Sequence, residues 1–136
     1  MTLGNELCQG GGMPKNNPLK LLVVDDHAEF RRTMRQTFAD HDVSIIEAAS
    51  GEEAVRLFGT ERPDWVLMDL RMTGMGGLKA TEAIRKLDPQ ARVIIISQFN
   101  ELEHRHQALR AGAVDFVDKQ DVAQLAERIC GPIPQS

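Results

Sequence analysis

The sequence predicts an α/β fold in which a five-stranded parallel sheet carries helices on both faces. Apolar stretches of strand length alternate with amphipathic stretches of helical spacing, five times in succession. Such alternation implies right-handed crossovers and a parallel sheet. Four of the apolar runs end in a polar group: Asp25 and Asp26 after Leu21–Val24, Asp69 after Trp65–Met68, Ser97 after Val93–Ile96, and Lys119 after Phe116 and Val117. The composition, 42% hydrophobic and 26% charged over 136 residues, suits one domain with a core of its own.

Each element has its own signal. Residues 1–18 hold Gly10, Gly11, Gly12, Pro14 and Pro18 without periodicity, and are expected to form a flexible extension. Leu19–Val24 is the first strand. Phe30, Met34, Thr37 and Phe38 recur at helical spacing, with Arg31, Arg32 and Arg35 between them on a solvated face, in a helix ending near Asp40 and His41. Val43–Ala48 is the second strand. Ser50 and Glu53 form a capping box for a helix that Gly59 is placed to stop. After the turn at Arg62–Asp64, Trp65–Met68 is the third strand, delivering Asp69. Leu78–Leu87 reads as a helix closed by Asp88 and Pro89. Val93–Ile96 is the fourth strand, and Asn100–Glu103 caps a helix running to Ala111. Ala113–Val117 is the fifth strand, and Asp121 caps a last helix, Val122–Cys130. The common five-strand arrangement is the flavodoxin-like order 2-1-3-4-5, with its switch point between the first and third strands. That crevice brings Asp25 and Asp26 beside Asp69.

Several function classes drop out. The formal net charge of −4 leaves no general electrostatic footprint for nucleic acid. Two cysteines in unrelated contexts offer neither metal spacing nor a disulfide framework, as in a reducing compartment. No apolar run reaches membrane length, and the N-terminus lacks a signal-like apolar core, so a cytoplasmic location is expected. No glycine fingerprint for a dinucleotide follows the first strand.

Three carboxylates in one crevice require a counter-charge. Mg²⁺ is the natural partner, because it takes carboxylates, water and phosphate oxygens. A carboxylate can also attack phosphorus and form an acyl phosphate, a transfer that needs positioning and charge neutralisation above all. Lys119 and Ser97 are placed to supply the remaining contacts to phosphoryl oxygens. Taken singly, the acidic pair reads as a helix cap, Lys119 as a surface lysine, Ser97 as a turn residue and Phe116 as core; the set together outweighs those readings. The four histidines read as surface residues.

This set, in this order and spacing, resembles the receiver domains of two-component response regulators, including the single-domain chemotaxis receiver. The resemblance spans about Leu19–Cys130, with a receiver domain at 19–131 and a tail at 132–136. It implies phosphorylation of Asp69 by a histidine kinase or histidine phosphotransfer protein. It implies Mg²⁺ held by Asp25, Asp26, Asp69 and the backbone carbonyl of Arg71. Ser97 and Phe116 would then switch the surface of the fourth helix, fifth strand and fifth helix, to control an output protein or form a dimer. The chain departs from the family where Thr73 and Gln120 replace prolines, and where Gln98 replaces a small residue. Gln98 and Phe99 are therefore candidate gates of the site. A phosphorylation-independent interaction module on the same fold is one alternative. An Asp-nucleophile phosphohydrolase is another, weakened because Arg71 stands where such enzymes carry a second acid.

Overall fold

Continuous apolar runs make strands buried on both faces, and these need helices above and below. The structure, a computed structural model, describes residues 18–98 and 102–131. Its strands are β1 (Leu19–Val24), β2 (Val43–Ala48), β3 (Trp65–Asp69), β4 (Val93–Ser97) and β5 (Asp115–Asp118). The helices between and after them are α1 (Ala28–Thr37), α2 (Gly51–Glu61), α3 (Gly77–Leu87), α4 (Leu102–Arg110) and α5 (Leu125–Cys130). All strand pairs are parallel, in the order β2-β1-β3-β4-β5. The expected topology is the observed one.

Alternation along β1 divides the core into two layers. Leu21 and Val23 pack with Leu67, Ile94 and Ile96 under Met34 and Phe38 of α1 and Leu125, Ala126 and Ile129 of α5. Leu22 and Val24 point the other way, with Val66, Met68, Val93 and Ile95, against Ala54 and Phe58 of α2, Ala80 and Ile84 of α3, and Ala108 of α4.

Several boundaries differ from the sequence expectations. The first helix ends at Thr37, with Phe38 as its C-cap, three residues short of Asp40. Gly59 does not stop α2, which runs on to Glu61 and ends at Arg62, a left-handed residue with φ 50°. Arg62 holds that conformation with its N–H on the Phe58 carbonyl and its guanidinium 5.5 Å from the Phe58 ring centre. β5 begins at Asp115 rather than Ala113, because Gly112 turns at φ 109° and Val114 is left exposed. The last helix is not capped by Asp121. A 3₁₀ segment, Lys119–Gln124, comes first, and Asp118 caps it by accepting from the Gln120 N–H at 2.9 Å. The Ser50 cap is as expected: its Oγ accepts from Glu53 N–H at 3.1 Å, while the Glu53 carboxylate reaches back to Ala49 N–H at 2.8 Å. Residues 1–17, 99–101 and 132–136, which include all of the proposed extension but Pro18, together with Phe99, the expected Asn100–Glu101 cap and the tail, lie outside the described residues.

Candidate functional site

The register places the acids. Val24 pairs with Met68 across β1 and β3, so Asp25 and Asp69 leave the sheet side by side. Asp69 pairs with Ile96 on β4, and Ser97 pairs with Asp118 on β5, which brings Ser97 and Lys119 to the same edge. This is the carboxyl edge of a parallel sheet at its switch point, the standard position for a site in this architecture. The backbone behind Asp69 is tightly drawn. Gly77 opens α3 so close to β3 that a Cβ there would lie 2.2 Å from the Asp69 carbonyl oxygen. The Gly77 N–H donates to the Leu70 carbonyl at 3.1 Å.

Asp25 and Ser97 are buried, and Asp69 is only 4% exposed. The Lys119 ammonium lies between the two carboxylates, 2.7 Å from Asp25 Oδ2 and 3.4 Å from Asp69 Oδ1. It also sits 4.5 Å from the ring centre of Phe30, whose face attracts a cation. Asp26 is more open and accepts from the Thr73 N–H at 3.4 Å. Burial pushes the Asp69 carboxyl up to about 6, and the neighbouring Asp25 charge pushes the same way, with Lys119 opposing. A group in this condition favours any cation or proton brought to it.

Asp69, Ser97 and Lys119, which the sequence singles out, line one pocket together with Arg71, Gln98 and His27. Gln98 is exposed and also borders a second, adjoining hollow formed with Phe30, Thr33, Asp118, Lys119, Gln120 and Val122. Phe116 stands apart from this pocket. It is buried in the core layer of α2, α3 and α4, with the Arg105 guanidinium 5.5 Å from its ring centre.

Two residues near the acids carry more than the sequence reading gives them. His27 is exposed, as expected of a surface histidine, but its Nδ1 lies 3.1 Å from Asp25 Oδ1 and 3.0 Å from Asp26 Oδ1. Its place directly after the acidic pair is the available signal. Arg31 is not on a solvated face: it donates to the Asp25 carbonyl at 2.6 Å and to Glu47 on β2 at 2.9 Å. Arg35 pairs with the same Glu47, and the two guanidiniums hold that carboxyl below its ordinary range against the opposing effect of burial. The signal for Arg31 is weak, since an i, i+4 pair of arginines on a helix gives no hint of a partner on a strand.

Ligand atoms of Asp25, Asp26, His27 and Asp69 all lie within 4.8 Å of one another. Carboxylate oxygens at this spacing fit a small divalent cation.

A doubly wound domain that gathers three acids and a lysine at its switch point matches a known class of proteins. The chain belongs to the response regulator receiver domain family, whose model matches residues 21–130. It is 41% identical over 103 residues to the chemotaxis protein CheY of Listeria monocytogenes, covering 74% of this chain and 86% of that protein. It is 38% identical over 100 residues to the regulatory protein AtoC of Escherichia coli, covering 74% of this chain but only 22% of that longer protein. It likewise spans less than half of two further relatives, the transcriptional regulatory protein YhcZ of Bacillus subtilis and the activator ExaE of Pseudomonas putida. Among solved structures, a CheX–CheY–BeF₃–Mg complex from Borrelia burgdorferi superposes with a TM-score of 0.75 at 31% identity, covering 83% of this chain and 90% of that one. No helix among the described residues is long and apolar enough to cross a membrane.

Proposed function

We propose that this chain accepts a phosphoryl group on Asp69 from a phosphohistidine of a kinase or phosphotransfer protein, and passes the signal to an output partner in the cytoplasm. The observation that carries the reading is the Lys119 ammonium held between Asp25 and Asp69 in a pocket that also contains Ser97. The functional unit is taken as residues 19–131, between an extension at 1–18 and a tail at 132–136. The chain itself is not expected to bind nucleic acid.

An Asp69 oxygen attacks phosphorus, the phosphorus–nitrogen bond breaks, and the donor imidazole leaves with the bonding pair. Asp25, Asp26, Asp69 and the backbone carbonyl of Arg71 would hold Mg²⁺, which when bound neutralises charge on the phosphoryl oxygens. Lys119 moves from balancing two carboxylates to pairing with the phosphoryl group, and the Ser97 hydroxyl donates to another of its oxygens. The donor histidine approaches over the hollow bounded by Phe30, Gln98 and Lys119, which opens beside the Asp69 pocket. Ser97 is the last residue of β4, and Phe116 lies on the neighbouring β5, paired with Ile95 two residues earlier. A shift of Ser97 toward the phosphoryl group is therefore transmitted to Phe116 and to the α4–β5–α5 surface, where an output protein or a second copy of the chain would bind.

The test is intact-mass measurement after acetyl phosphate with Mg²⁺. Wild type gains one phosphoryl mass and Asp69→Asn gains none. Equal labelling of both, or of neither in the presence of a competent kinase, overturns the reading.

A further inference from the structure

The His27 imidazole stands beside the acids with no part in the phosphoryl transfer described above. His27 is the residue before α1, yet its side chain makes no capping bond to that helix. The His27 backbone N–H donates to Asp25 Oδ1 at 2.8 Å, and the ring Nδ1 is within hydrogen-bond distance of the same oxygen. The ring instead faces the acids, with Nδ1 at 3.0 and 3.1 Å from one oxygen each of Asp26 and Asp25. It forms part of the wall of the Asp69 pocket.

Those separations have a meaning for coordination. In an octahedral site with bonds of about 2.1 Å, neighbouring ligands lie about 3.0 Å apart and opposite ones about 4.2 Å. Nδ1 is thus already at the spacing of a neighbouring ligand from two carboxylates. The full group of Asp25, Asp26, His27 and Asp69, within 4.8 Å, needs only a small contraction to close on an ion. Oxygen ligands alone suit Mg²⁺, whereas an imidazole suits the first-row transition ions and adds little for Mg²⁺.

We infer that His27 converts the acidic pocket into a mixed oxygen–nitrogen site, in which Nδ1 ligates transition divalent cations such as Mn²⁺ or Co²⁺ and tilts the selectivity of the site away from Mg²⁺. This rests on the reading of the pocket as a metal site. It assigns a ligand that the resemblance to receiver domains does not.

The test uses the full chain at one fixed pH, with Mn²⁺ and Mg²⁺ as probes. Binding of Mn²⁺ is followed by loss of the free-ion electron paramagnetic resonance signal, and Mg²⁺ affinity is obtained by competition. Pulsed resonance on the Mn²⁺ complex reads coupling to a directly bound ¹⁴N nucleus. Even partners that only support metal ligands change affinity 10–100-fold, so losing a direct ligand is worth at least about tenfold. Wild type should show the nitrogen coupling. His27→Ala and His27→Gln should lose it, with Mn²⁺ affinity down by that factor and Mg²⁺ affinity nearly unchanged. His27 is 73% exposed in its side chain, so neither variant threatens folding. If wild type binds both ions but shows no nitrogen coupling, or the variants lose both ions equally, His27 is not a selective ligand and this inference alone fails. If wild type binds neither ion, the metal reading of the pocket fails with it.

Discussion

Asp69 is held at a cost. Its carboxyl is raised to about 6 by burial and by Asp25, from an ordinary value of 3.8. Because the folded value lies above the unfolded one, the folded chain takes up a proton first as pH falls. Stability of the metal-free protein should therefore rise from pH 7 toward pH 4.5, by about 2 kcal/mol over that span for a shift of this size. Glu47 and Asp115 act in the opposite sense, since pairing with arginines lowers both despite burial. Their contribution is present above their ordinary values and is lost as pH falls through the lowered ones, so it erodes stability only below about pH 4. Thermal melts in chelator should show the optimum on the acid side of neutrality. Asp69→Asn should be at least as stable as wild type at pH 7 and should flatten the slope between pH 7 and 4.5; a variant several degrees less stable would mean the carboxylate is structural. Gln98 raises a separate question of access. It is exposed at the rim between the Asp69 pocket and the adjoining hollow. Gln98→Ala should speed both phosphorylation by acetyl phosphate and loss of the phosphoryl group, each tenfold change reporting about 1.4 kcal/mol of barrier. Unchanged rates would leave Gln98 without a gating role.

At the scale of elements, two glycines have opposite roles. Gly77 is where α3 touches β3: a Cβ would meet the Asp69 carbonyl oxygen at 2.2 Å and the Leu70 Cα at 3.0 Å. Both neighbours are backbone, so the helix or the strand end must move. Gly77→Ala should cost about 1–3 kcal/mol, as overpacking does, and should displace Asp69 from Lys119. Gly59 lies inside α2, exposed, and a methyl group added there would meet nothing within 4 Å. Gly59→Ala should stabilise by about 0.5–1 kcal/mol. Denaturant titration of the two variants checks the signs; a neutral Gly77→Ala would mean that α3 is not fixed against β3. These glycines also mark how far the sequence can be read. β1 and β2 are legible because stretches dense in Leu, Val and Ile lie between turn and cap signals, Pro18 and Asp25 around the first and Asp42 and Ser50 around the second, and the acids, Ser97 and Lys119 are legible because each follows an apolar stretch of strand length. Gly59 misleads because a glycine near a helix end looks the same whether or not the chain turns left-handed there, and Arg62 takes that turn instead. Ala113 and Val114 look like strand by composition, yet the turn at Gly112 leaves Val114 exposed. The contact of Arg31 with Glu47 runs across the fold, which no local pattern encodes, whereas His27 has only its place directly after the acidic pair as a signal.

Across the whole molecule, the site occupies one edge of the sheet while the single tryptophan occupies the other. Trp65 opens β3 and Asp69 ends it, which at strand rise separates them by roughly 13 Å. Trp65 packs in the layer of α1 and α5, partly buried, with the Arg92 guanidinium 4.4 Å from its ring centre. Its surroundings are thus set by groups at the amino edge, which the chemistry at Asp69 does not touch. The sheet between them is rigid, because Val66, Leu67 and Met68 are fully buried and paired on both sides. A charge added at Asp69 is also partly cancelled by Lys119 before its field reaches the indole. Mg²⁺ or beryllofluoride should therefore leave the emission of Trp65 nearly unchanged under conditions where binding is seen by calorimetry. Changes should appear instead in amide exchange of β4, β5 and α4, since Ser97 ends β4 at the pocket and β5 pairs alongside it. Strong quenching of Trp65 on Mg²⁺ addition would contradict this division of the molecule, and would require a rearrangement that crosses the full length of β3.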